Sequence, residues 1–379
     1  MKKIGILTLN GYFNYGNRLQ NYALQEILKR LGFNVETIIN DTNFSNQNGG
    51  SSNRMGKIKK IREKNMKELY EILFKKAENY LYKNKLDQQR TQIFKEFSLS
   101  YIDETEFSIS EDYIPNDLPD RYDFFVTGSD QVWNPNYRKG SPIDFLTFAS
   151  PEKRIAYAPS FGISEIPQEY IGNYKSWLSE MAHLSVREEA GARIIKDLTG
   201  RDGTVVLDPT MMLTKEKWLS ISKVASNKPV KKYLLTYFIG HISKERMTLL
   251  NNIARKNDLE IVHLAQVKDK KAYLSGPSEF IDYINSASIF CTDSFHGAVF
   301  SILLDTPFII FNREGKSPSM NSRIDTLLKT FKLESRSAEN IETNEQIFDV
   351  DYSHTVPILE KERKKAWDYL ENALSVRIK

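Results

Sequence analysis

The chain has a single cysteine, Cys291, among 379 residues, which excludes an internal disulfide and a metal site built on several cysteines. No apolar stretch approaches the ~18 residues that a membrane-spanning helix needs. The apolar run after the basic N-terminus is too short for a signal peptide, and low-complexity runs are absent. We therefore expect a cytoplasmic globular protein, and the length suits two domains better than one.

Net charge is also scarce overall, at +4, but it is distributed unevenly. Residues 54–95 contain thirteen Lys or Arg and five Asp or Glu, a net charge of +8, so the remaining chain sums to −4. Apolar residues recur there at near-helical spacing, which predicts a basic helical insertion over about residues 44–119. Two interpretations stay open: a solvated basic face, or a peripheral contact with anionic lipid or a lipid-linked substrate at the inner face of the membrane. We expect no nucleic-acid partner.

Short apolar strands alternate with helical segments, the pattern of an α/β fold. Strands are predicted at 4–9, 35–39, 123–127, 154–158, 183–186, 204–207, 233–239, 261–264, 288–292 and 308–311. Helices are predicted at 17–31, 244–256, 278–286, 298–304 and 358–374. We expect two Rossmann-like domains facing a cleft: an N-terminal domain over 1–210 that carries the insertion, a C-terminal domain over 211–350, and a helical segment over 351–379.

His296 stands where a predicted buried strand ends and a helix begins. In α/β sheets, ligands collect outside the carboxyl ends of the strands, and the positive end of a helix favours an anion. An imidazole beside Asp293 and Ser294 has the chemistry to move a proton near neutral pH. The alternative is a core histidine whose hydrogen bonds are satisfied internally.

Three further strand ends carry polar side chains. The loop at 10–18 is neither a dinucleotide-binding fingerprint nor a Walker loop, so it is either a plain tight turn or a ligand contact. The segment at 127–135 is richer in functional groups than a helix cap requires. Arg187 is either a surface ion-pair residue or an anion clamp. The cleft-lining candidates in the first two segments are Asn14, Asn17, Arg18, Ser129, Asp130, Gln131, Trp133 and Asn134.

Six motifs follow one another along nearly the whole chain. They are Asn-Tyr-Gly-Asn-Arg-Leu-Gln-Asn-Tyr-Ala-Leu-Gln at 14–25, Gly-Ser-Asp-Gln-Val-Trp-Asn at 128–134, Ser-Val-Arg-Glu at 185–188, Leu-Asp-Pro-Thr at 207–210, Thr-Asp-Ser-Phe-His-Gly at 292–297 and Asn-Ser-Arg-Ile-Asp-Thr-Leu-Leu at 321–328. Each motif is weak by itself, but six in order are specific. Together they resemble the polysaccharide pyruvyl transferase family.

The resemblance implies a glycosyltransferase-B-like fold whose last helix crosses back to the N-terminal domain. It implies phosphoenolpyruvate as co-substrate, and a sugar diol of a cell-surface polysaccharide or its lipid-linked precursor as acceptor. The product would be a pyruvate ketal, and neither a further cofactor nor a metal is expected. By resemblance, His296 is the catalytic histidine, Asp130 its acidic partner and Arg187 the arginine for the donor's phosphate or carboxylate.

One departure from the family pattern concerns the donor. Many members have an arginine two residues before the histidine, where this chain has Ser294. The donor's charge then needs another cation, for which Arg323 and Lys316 are the candidates, beside the helix start at Ser294 and Gly297. Two alternatives remain: a nucleotide-sugar-dependent glycosyltransferase of the same fold, and a non-catalytic module that binds glycans or anions.

Overall fold

The structure is a computed structural model that describes residues 1–42, 66–314 and 322–376. Two parallel sheets form its framework. The first contains five strands in the order β3-β2-β1-β4-β5, all parallel. They are β1 (Lys3–Leu7), β2 (Asn34–Asn40), β3 (Glu104–Ile109), β4 (Phe124–Thr127) and β5 (Arg154–Ala156). The short parallel pair β6 (Ser185–Val186) and β7 (Thr204–Val205) continues this sheet, since Ile155 forms a parallel bridge with His183.

The second sheet contains four parallel strands in the order β11-β10-β8-β9. They are β8 (Tyr233–Tyr237), β9 (Glu260–Leu264), β10 (Ile289–Thr292) and β11 (Phe308–Ile310). Nearly every residue of β8, β10 and β11 is buried, as expected for parallel strands covered by helices on both faces. The structure confirms the predicted α/β fold with two Rossmann-like units facing a cleft.

Helices connect and cover these strands. In the described ranges they are α1 (Tyr15–Arg30), α2 (Met66–Tyr101), α3 (Pro135–Arg138), α4 (Ile171–Glu180), α5 (Glu189–Thr199), α6 (Lys215–Ser220), α7 (Lys244–Lys256), α8 (Lys270–Tyr273), α9 (Pro277–Ser286), α10 (Phe295–Leu303), α11 (Ser322–Phe331), α12 (Asn344–Phe348) and α13 (Thr355–Leu374). Within those ranges no helix is both long and apolar enough to span a bilayer.

The strand order determines where a ligand can enter. The order in which the chain adds parallel strands reverses between β1 and β4 in the first sheet, and between β8 and β10 in the second. Crevices form outside the carboxyl ends of strands at such reversals. The loops after these four strands therefore face one another, and each of them contributes residues to the same cleft.

One sheet strand was not predicted. The strand β3 lies inside the range expected as an insertion, yet it pairs in parallel with β2 at the sheet edge. Its sequence mixes polar and apolar residues because an edge strand is only partly buried. The helical part of the predicted insertion is α2, which ends at Tyr101, whereas residues 43–65 lie outside the described residues.

The two halves share one continuous apolar core. Tyr15, at the start of α1, stacks on Phe280 of α9 with 4.4 Å between ring centroids, and both side chains are fully buried. Burying such a side chain contributes about 1.5–3 kcal/mol. Helix α13 returns to the first half, where the Tyr369 hydroxyl donates to the Ala156 carbonyl over 2.6 Å. This packing fixes the position of the first sheet's cleft loops relative to the second sheet.

Candidate active site

A cleft of about 700 Å³ lies between the two sheets. Its walls come from the loop after β1, the loop after β2, the loop after β4 and the first turn of α10, together with Arg313 after β11 and Arg323 in α11. These are the strand ends that the topology brings together. His296 lies in this cleft, on the first turn of α10.

His296 belongs to the second half of the molecule and contacts two elements of the first half. Its Nε2 is 3.6 Å from Oδ2 of Asp208, just beyond hydrogen-bond distance, and makes no other polar contact among the described residues. The other face of the ring lies against Gly16 in α1, where an added Cβ would be 2.0 Å from Nδ1. The imidazole therefore lies between the Asp208 carboxylate and the backbone of Gly16.

Asp208 is the centre of the buried polar network. Its Oδ2 accepts hydrogen bonds from Arg187 and from Ser129 Oγ at 2.9 Å, and its Oδ1 accepts from the hydroxyl and backbone N–H of Thr210. Burial by itself would raise the pKa of Asp208. The charges of His296 and Arg187 outweigh burial and hold this pKa well below its usual range. Asp208 therefore remains a carboxylate, 3.6 Å from the imidazole.

Arg187 lies beneath the cleft surface. Asp208 binds one end of its guanidinium, Asp130 Oδ1 lies 3.6 Å from Nη2, and the ring of Phe295 covers it with 4.5 Å to the centroid. Burial would lower the pKa of Arg187, but the carboxylates of Asp208 and Asp130 outweigh it and raise this pKa. The predicted donor arginine is therefore occupied by two internal carboxylates and does not line the cleft.

Asp130 does line the cleft. Its Oδ1 accepts from the Gln131 backbone N–H at 2.9 Å. Burial favours a raised pKa, but the charges of Arg187, His296 and Arg323 outweigh it and lower the pKa of Asp130. Asp130 is therefore an ionised hydrogen-bond acceptor, and its lowered pKa makes it a weak base.

Three arginines line the cleft: Arg323, Arg313 and Arg138, the last of which binds Asp144 at 2.7 Å. Arg323 is 5% exposed and makes no hydrogen bond or ion pair within the described part of the chain. Burial, together with the neighbouring charge of Arg187, lowers the pKa of Arg323 to about 10, so it stays protonated at neutral pH. Arg313 lines the same cleft, with Nε 3.7 Å from Asp293. A buried guanidinium without a carboxylate partner is the chemistry that an anionic ligand would satisfy.

The two residues expected at the start of α10 have structural roles. Ser294 is the N-cap, and its Oγ accepts from the Gly297 N–H at 3.3 Å. Gly297 lies against β10, because a Cβ there would be 2.8 Å from Oγ1 of Thr292. Ser294 also lines the cleft, whereas Gly297 does not. Together they direct the positive end of α10 at the ligand space.

The remaining sequence candidates divide into two groups. Asn14, Asn17 and Gln131 line the cleft as expected. The four others lie behind it: Arg18, Ser129, Trp133 and Asn134. Lys316, the second candidate donor cation, lies outside the described residues.

Each residue behind the cleft has an internal partner. Arg18 is fully buried, binding Glu104 at 2.8 Å and the Leu9 carbonyl at 2.7 Å. Ser129 binds Asp208, as described above. Trp133 stacks on a phenylalanine and donates its indole N–H to the Asp144 carbonyl, while Asn134 caps α3. These motif residues shape the loops, and the expectation that they line the cleft is corrected.

The sequence candidates did not include Asp208 or Arg313. Asp208 lies three residues after the short strand β7, in the Leu-Asp-Pro-Thr motif, so its strand-end position was the available signal. Arg313 similarly follows β11 by three residues. Among the described residues, no group of three His, Cys, Asp or Glu side chains is placed to hold a metal ion.

Comparisons with known proteins agree with this architecture. The structure is similar to a proposed UDP-N-acetylglucosamine 2-epimerase from Listeria monocytogenes, with a TM-score of 0.51, 8% identity, and 100% of this chain and 99% of that chain covered. It is also similar to Anabaena Alr3699/HepE in complex with UDP and glucose, at a TM-score of 0.44 and 9% identity over 99% of this chain and 100% of that one. At such identity the first likeness shows the fold alone, which is glycosyltransferase-B-like.

No curated protein matches the chain. A family model does: that of the polysaccharide pyruvyl transferases matches residues 14–315, which include Asn14, Asp130, Asp208 and His296. The match covers most of the chain and indicates a transferase. The chain therefore belongs to the polysaccharide pyruvyl transferase family.

Proposed function

We propose that this transferase moves the pyruvyl unit of phosphoenolpyruvate onto two hydroxyls of one sugar in a polysaccharide or its lipid-linked precursor. The observation that carries the proposal is the pairing of His296 with Asp208 in a cleft that also holds the unpartnered guanidinium of Arg323. The cleft thus contains His296, which can transfer a proton, and Arg323, which can bind an anionic group. A ketal-forming transfer needs both.

The donor carries a carboxylate and a phosphate. We assign Arg323 and Arg313 as the side chains that bind them, assisted by the N-terminal end of α10 at Ser294. Arg323 thereby takes the place of the arginine that many family members have at the position of Ser294. Arg187 does not bind the donor in this assignment. Its charge lowers the pKa values of Asp130 and Asp208 and so keeps both ionised.

The reaction requires two proton movements. C3 of the enol takes a proton, which makes C2 electrophilic, and the first sugar hydroxyl adds its oxygen to C2 and gives up its proton. The second hydroxyl then forms its bond to C2 while the C2–O bond to phosphate breaks, and its proton leaves with the phosphate. One hydroxyl proton therefore balances the new methyl group, and the other balances the released phosphate.

His296 is the side chain in the cleft best suited to these transfers. An imidazole can both give and take a proton near neutral pH, and the Asp208 carboxylate lies 3.6 Å from Nε2. We therefore assign His296 to carry a proton to C3 and to accept one from a hydroxyl. Asp130, with its lowered pKa, accepts a hydrogen bond from an acceptor hydroxyl and orients it. In this assignment His296 is the acid and base, and Asp130 is an orienting group.

The test is a phosphate-release assay with phosphoenolpyruvate and a panel of glycosides of galactose, mannose and N-acetylmannosamine. We expect release that depends on both donor and one class of acceptor, with a mass gain on the sugar that matches a ketal. His296→Ala should lower turnover about 10²–10⁴-fold. Lys175→Ala, on the solvent side of α4, is the matched control and should keep full activity.

Two results would contradict the proposal. Release of UDP from a UDP-sugar, with no phosphate from phosphoenolpyruvate, would indicate a nucleotide-sugar-dependent glycosyltransferase instead. Thermal stabilisation by phosphoenolpyruvate without turnover on any acceptor would indicate a non-catalytic anion-binding module.

A lipid-linked acceptor would place the enzyme at the inner face of the membrane, and α2 offers a surface for that contact. Tyr80 and Leu81 are 66% and 67% exposed, and Lys83 and Lys85 follow them, exposed as well. Exposed apolar residues beside lysines are typical of contact with anionic lipid. We propose peripheral binding through this part of α2.

Co-sedimentation with phosphatidylglycerol vesicles, compared with phosphatidylcholine vesicles at two salt concentrations, tests the lipid contact. Binding should need the anionic lipid, weaken with salt, and fall in the K83E/K85E variant. The K361E/K364E variant of α13 carries the same charge change elsewhere and should bind normally. Equal sedimentation with both vesicle types, or of both variants, would contradict the lipid contact and indicate a solvated basic face.

A further inference from the structure

The wall of the cleft formed by the loops after β1 and β2 differs from the cationic side. It is built from Asn10, Gly11, Tyr12, Phe13, Asn14, Asn40, Asp41 and Thr42. Amides, a hydroxyl and a carboxylate surround the aromatic rings, and none of these residues is a cation. This composition suits a neutral ligand rich in hydroxyl groups better than it suits an anion.

Phe13 is the outstanding member of this wall, because 70% of its surface is exposed although it is large and apolar. Its ring lies flat over Gly11: a Cβ built on Gly11 would be 2.4 Å from Cε1 and 2.9 Å from Cζ of the ring. One face of the ring thus covers the glycine backbone, and the other face is open to the cleft. Only a residue without a side chain at position 11 permits this arrangement.

Hydrogen bonds to the backbone and to the adjacent helix hold the loop that carries Phe13. The Phe13 carbonyl accepts from Nη2 of the buried Arg90 at 3.4 Å, and the next residue, Asn14, caps α1. Three residues later, Gly16 touches the His296 ring. Because three residues span at most about 11 Å, the backbone of Phe13 lies within that distance of the Gly16 backbone beside the imidazole.

Taking the proposed function as its basis, we infer that Phe13, seated on Gly11, is the platform on which a sugar ring of the acceptor stacks. A pyranose has one face of C–H groups that packs on an aromatic ring, while its edge carries hydroxyls. The edge hydroxyls meet polar residues of the same wall, Asn40 and Asp41. Stacking here orients the hydroxyl pair towards His296.

The first experiment measures acceptor kinetics in Phe13 variants. In Phe13→Ala the acceptor KM should rise roughly tenfold, while kcat and the KM for phosphoenolpyruvate stay within about twofold, as expected when uniform binding is removed. Phe13→Trp keeps a stacking face and should retain the wild-type KM. Tyr113→Ala removes an aromatic side chain that is also exposed but lies outside the cleft, and it should change nothing.

The second experiment uses Gly11 to move the ring without removing it. Gly11→Ala should raise the acceptor KM about as much as Phe13→Ala, because the new methyl group displaces the ring. In the double variant the two effects should not add, since both act through one platform. Thermal unfolding checks that each variant is folded. We expect all of them to fold, because Phe13 is exposed and contributes little to the core.

Saturation-transfer NMR with the methyl glycosides of galactose, mannose and N-acetylmannosamine separates this inference from the proposed function. Loss of the ring-proton saturation signal in Phe13→Ala supports the platform, whether or not phosphoenolpyruvate is turned over. An absence of turnover in the same wild-type protein counts against the pyruvyl transfer. Wild-type turnover with an unchanged acceptor KM in Phe13→Ala supports the transfer and overturns the platform. A fall in kcat without a change in KM would also overturn it.

Discussion

Gly16 and His296 touch across the cleft, although they come from different sheets of the molecule and are 280 positions apart. The absent side chain of Gly16 is what makes room, because a Cβ there would be 2.0 Å from Nδ1 and 2.4 Å from Cγ of the imidazole. The position of the proposed proton carrier is therefore determined as much by α1 as by its own helix. Gly16 is the second residue of α1, and the imidazole packed against it explains the lack of a side chain there.

Gly16→Ala should accordingly lower kcat by about 10²-fold or more while the protein remains folded. The methyl group pushes the imidazole away from Asp208, and a displacement of about 1 Å costs that much. Gly172→Ala is the matched control, because a Cβ at that position in α4 meets no atom within 4 Å. Circular dichroism and steady-state phosphate release compare the two variants. Normal activity in Gly16→Ala would contradict the role of His296.

Asp208→Asn should disturb activity and stability together. It leaves Arg187 without its closest carboxylate, so the free energy of unfolding should fall by roughly 3 kcal/mol. It also removes the carboxylate charge beside His296, so kcat should fall about 10²-fold or more. Ser129→Ala removes one hydrogen bond to the same carboxylate but no charge, and should cost only about 1 kcal/mol. Equal effects of both variants would argue against an electrostatic role.

Acid should destabilise the wild-type protein through the two buried aspartates. The pKa values of Asp130 and Asp208 are lower in the folded state than their ordinary value of about 3.9. Such groups give their full stabilisation above the unfolded pKa and lose it as the pH falls through the folded pKa. Urea unfolding should therefore give a plateau from pH 7 to about pH 5 and a decline below about pH 4, with a shallower decline in Asp208→Asn.

Arg323→Met should weaken donor binding and strengthen the fold. The guanidinium is buried near Arg187 without a partner, so its replacement by an apolar side chain relieves repulsion and should raise the thermal midpoint by a few degrees. The KM for phosphoenolpyruvate should rise at least about tenfold, since a charge-assisted pair is lost. Arg30→Met, at the far end of α1, is a control for surface arginine loss. A lower midpoint with an unchanged KM would assign Arg323 a structural role.

Arg90→Met should loosen the joint between α2, the cleft loop and the second sheet. Arg90 donates to Tyr15 Oη at 3.0 Å and to the Phe13 carbonyl, and it also binds the carbonyl of Tyr273. Leaving these buried acceptors unpaired should cost roughly 2–4 kcal/mol. Gln92→Met, exposed on the same helix, should cost little. Urea unfolding measures both, and equal stability of the two variants would contradict the joint.

Much of the fold could be predicted from the sequence because buried parallel strands are short apolar runs with clear ends. The strand expected at 288–292 and the helix at 244–256 lie within one residue of β10 and α7. The strand β3 was missed because it is a half-exposed edge strand whose polar residues hide the pattern. Its place in the sheet depends on pairing with β2, which lies far away in the sequence.

The sequence by itself determined the two α/β units, the strand-end positions of Asp130, Arg187 and His296, and the family to which the chain belongs. Only the tertiary structure decided which of these side chains reach the cleft. Asp208 reaches His296, and Asp130 reaches Arg187, through packing between elements that are more than fifty residues apart. A local pattern places a residue at a strand end but does not fix its partners. The partners depend on tertiary packing: Asp130 and Asp208 bind Arg187 beneath the cleft, whereas Arg323 lines it.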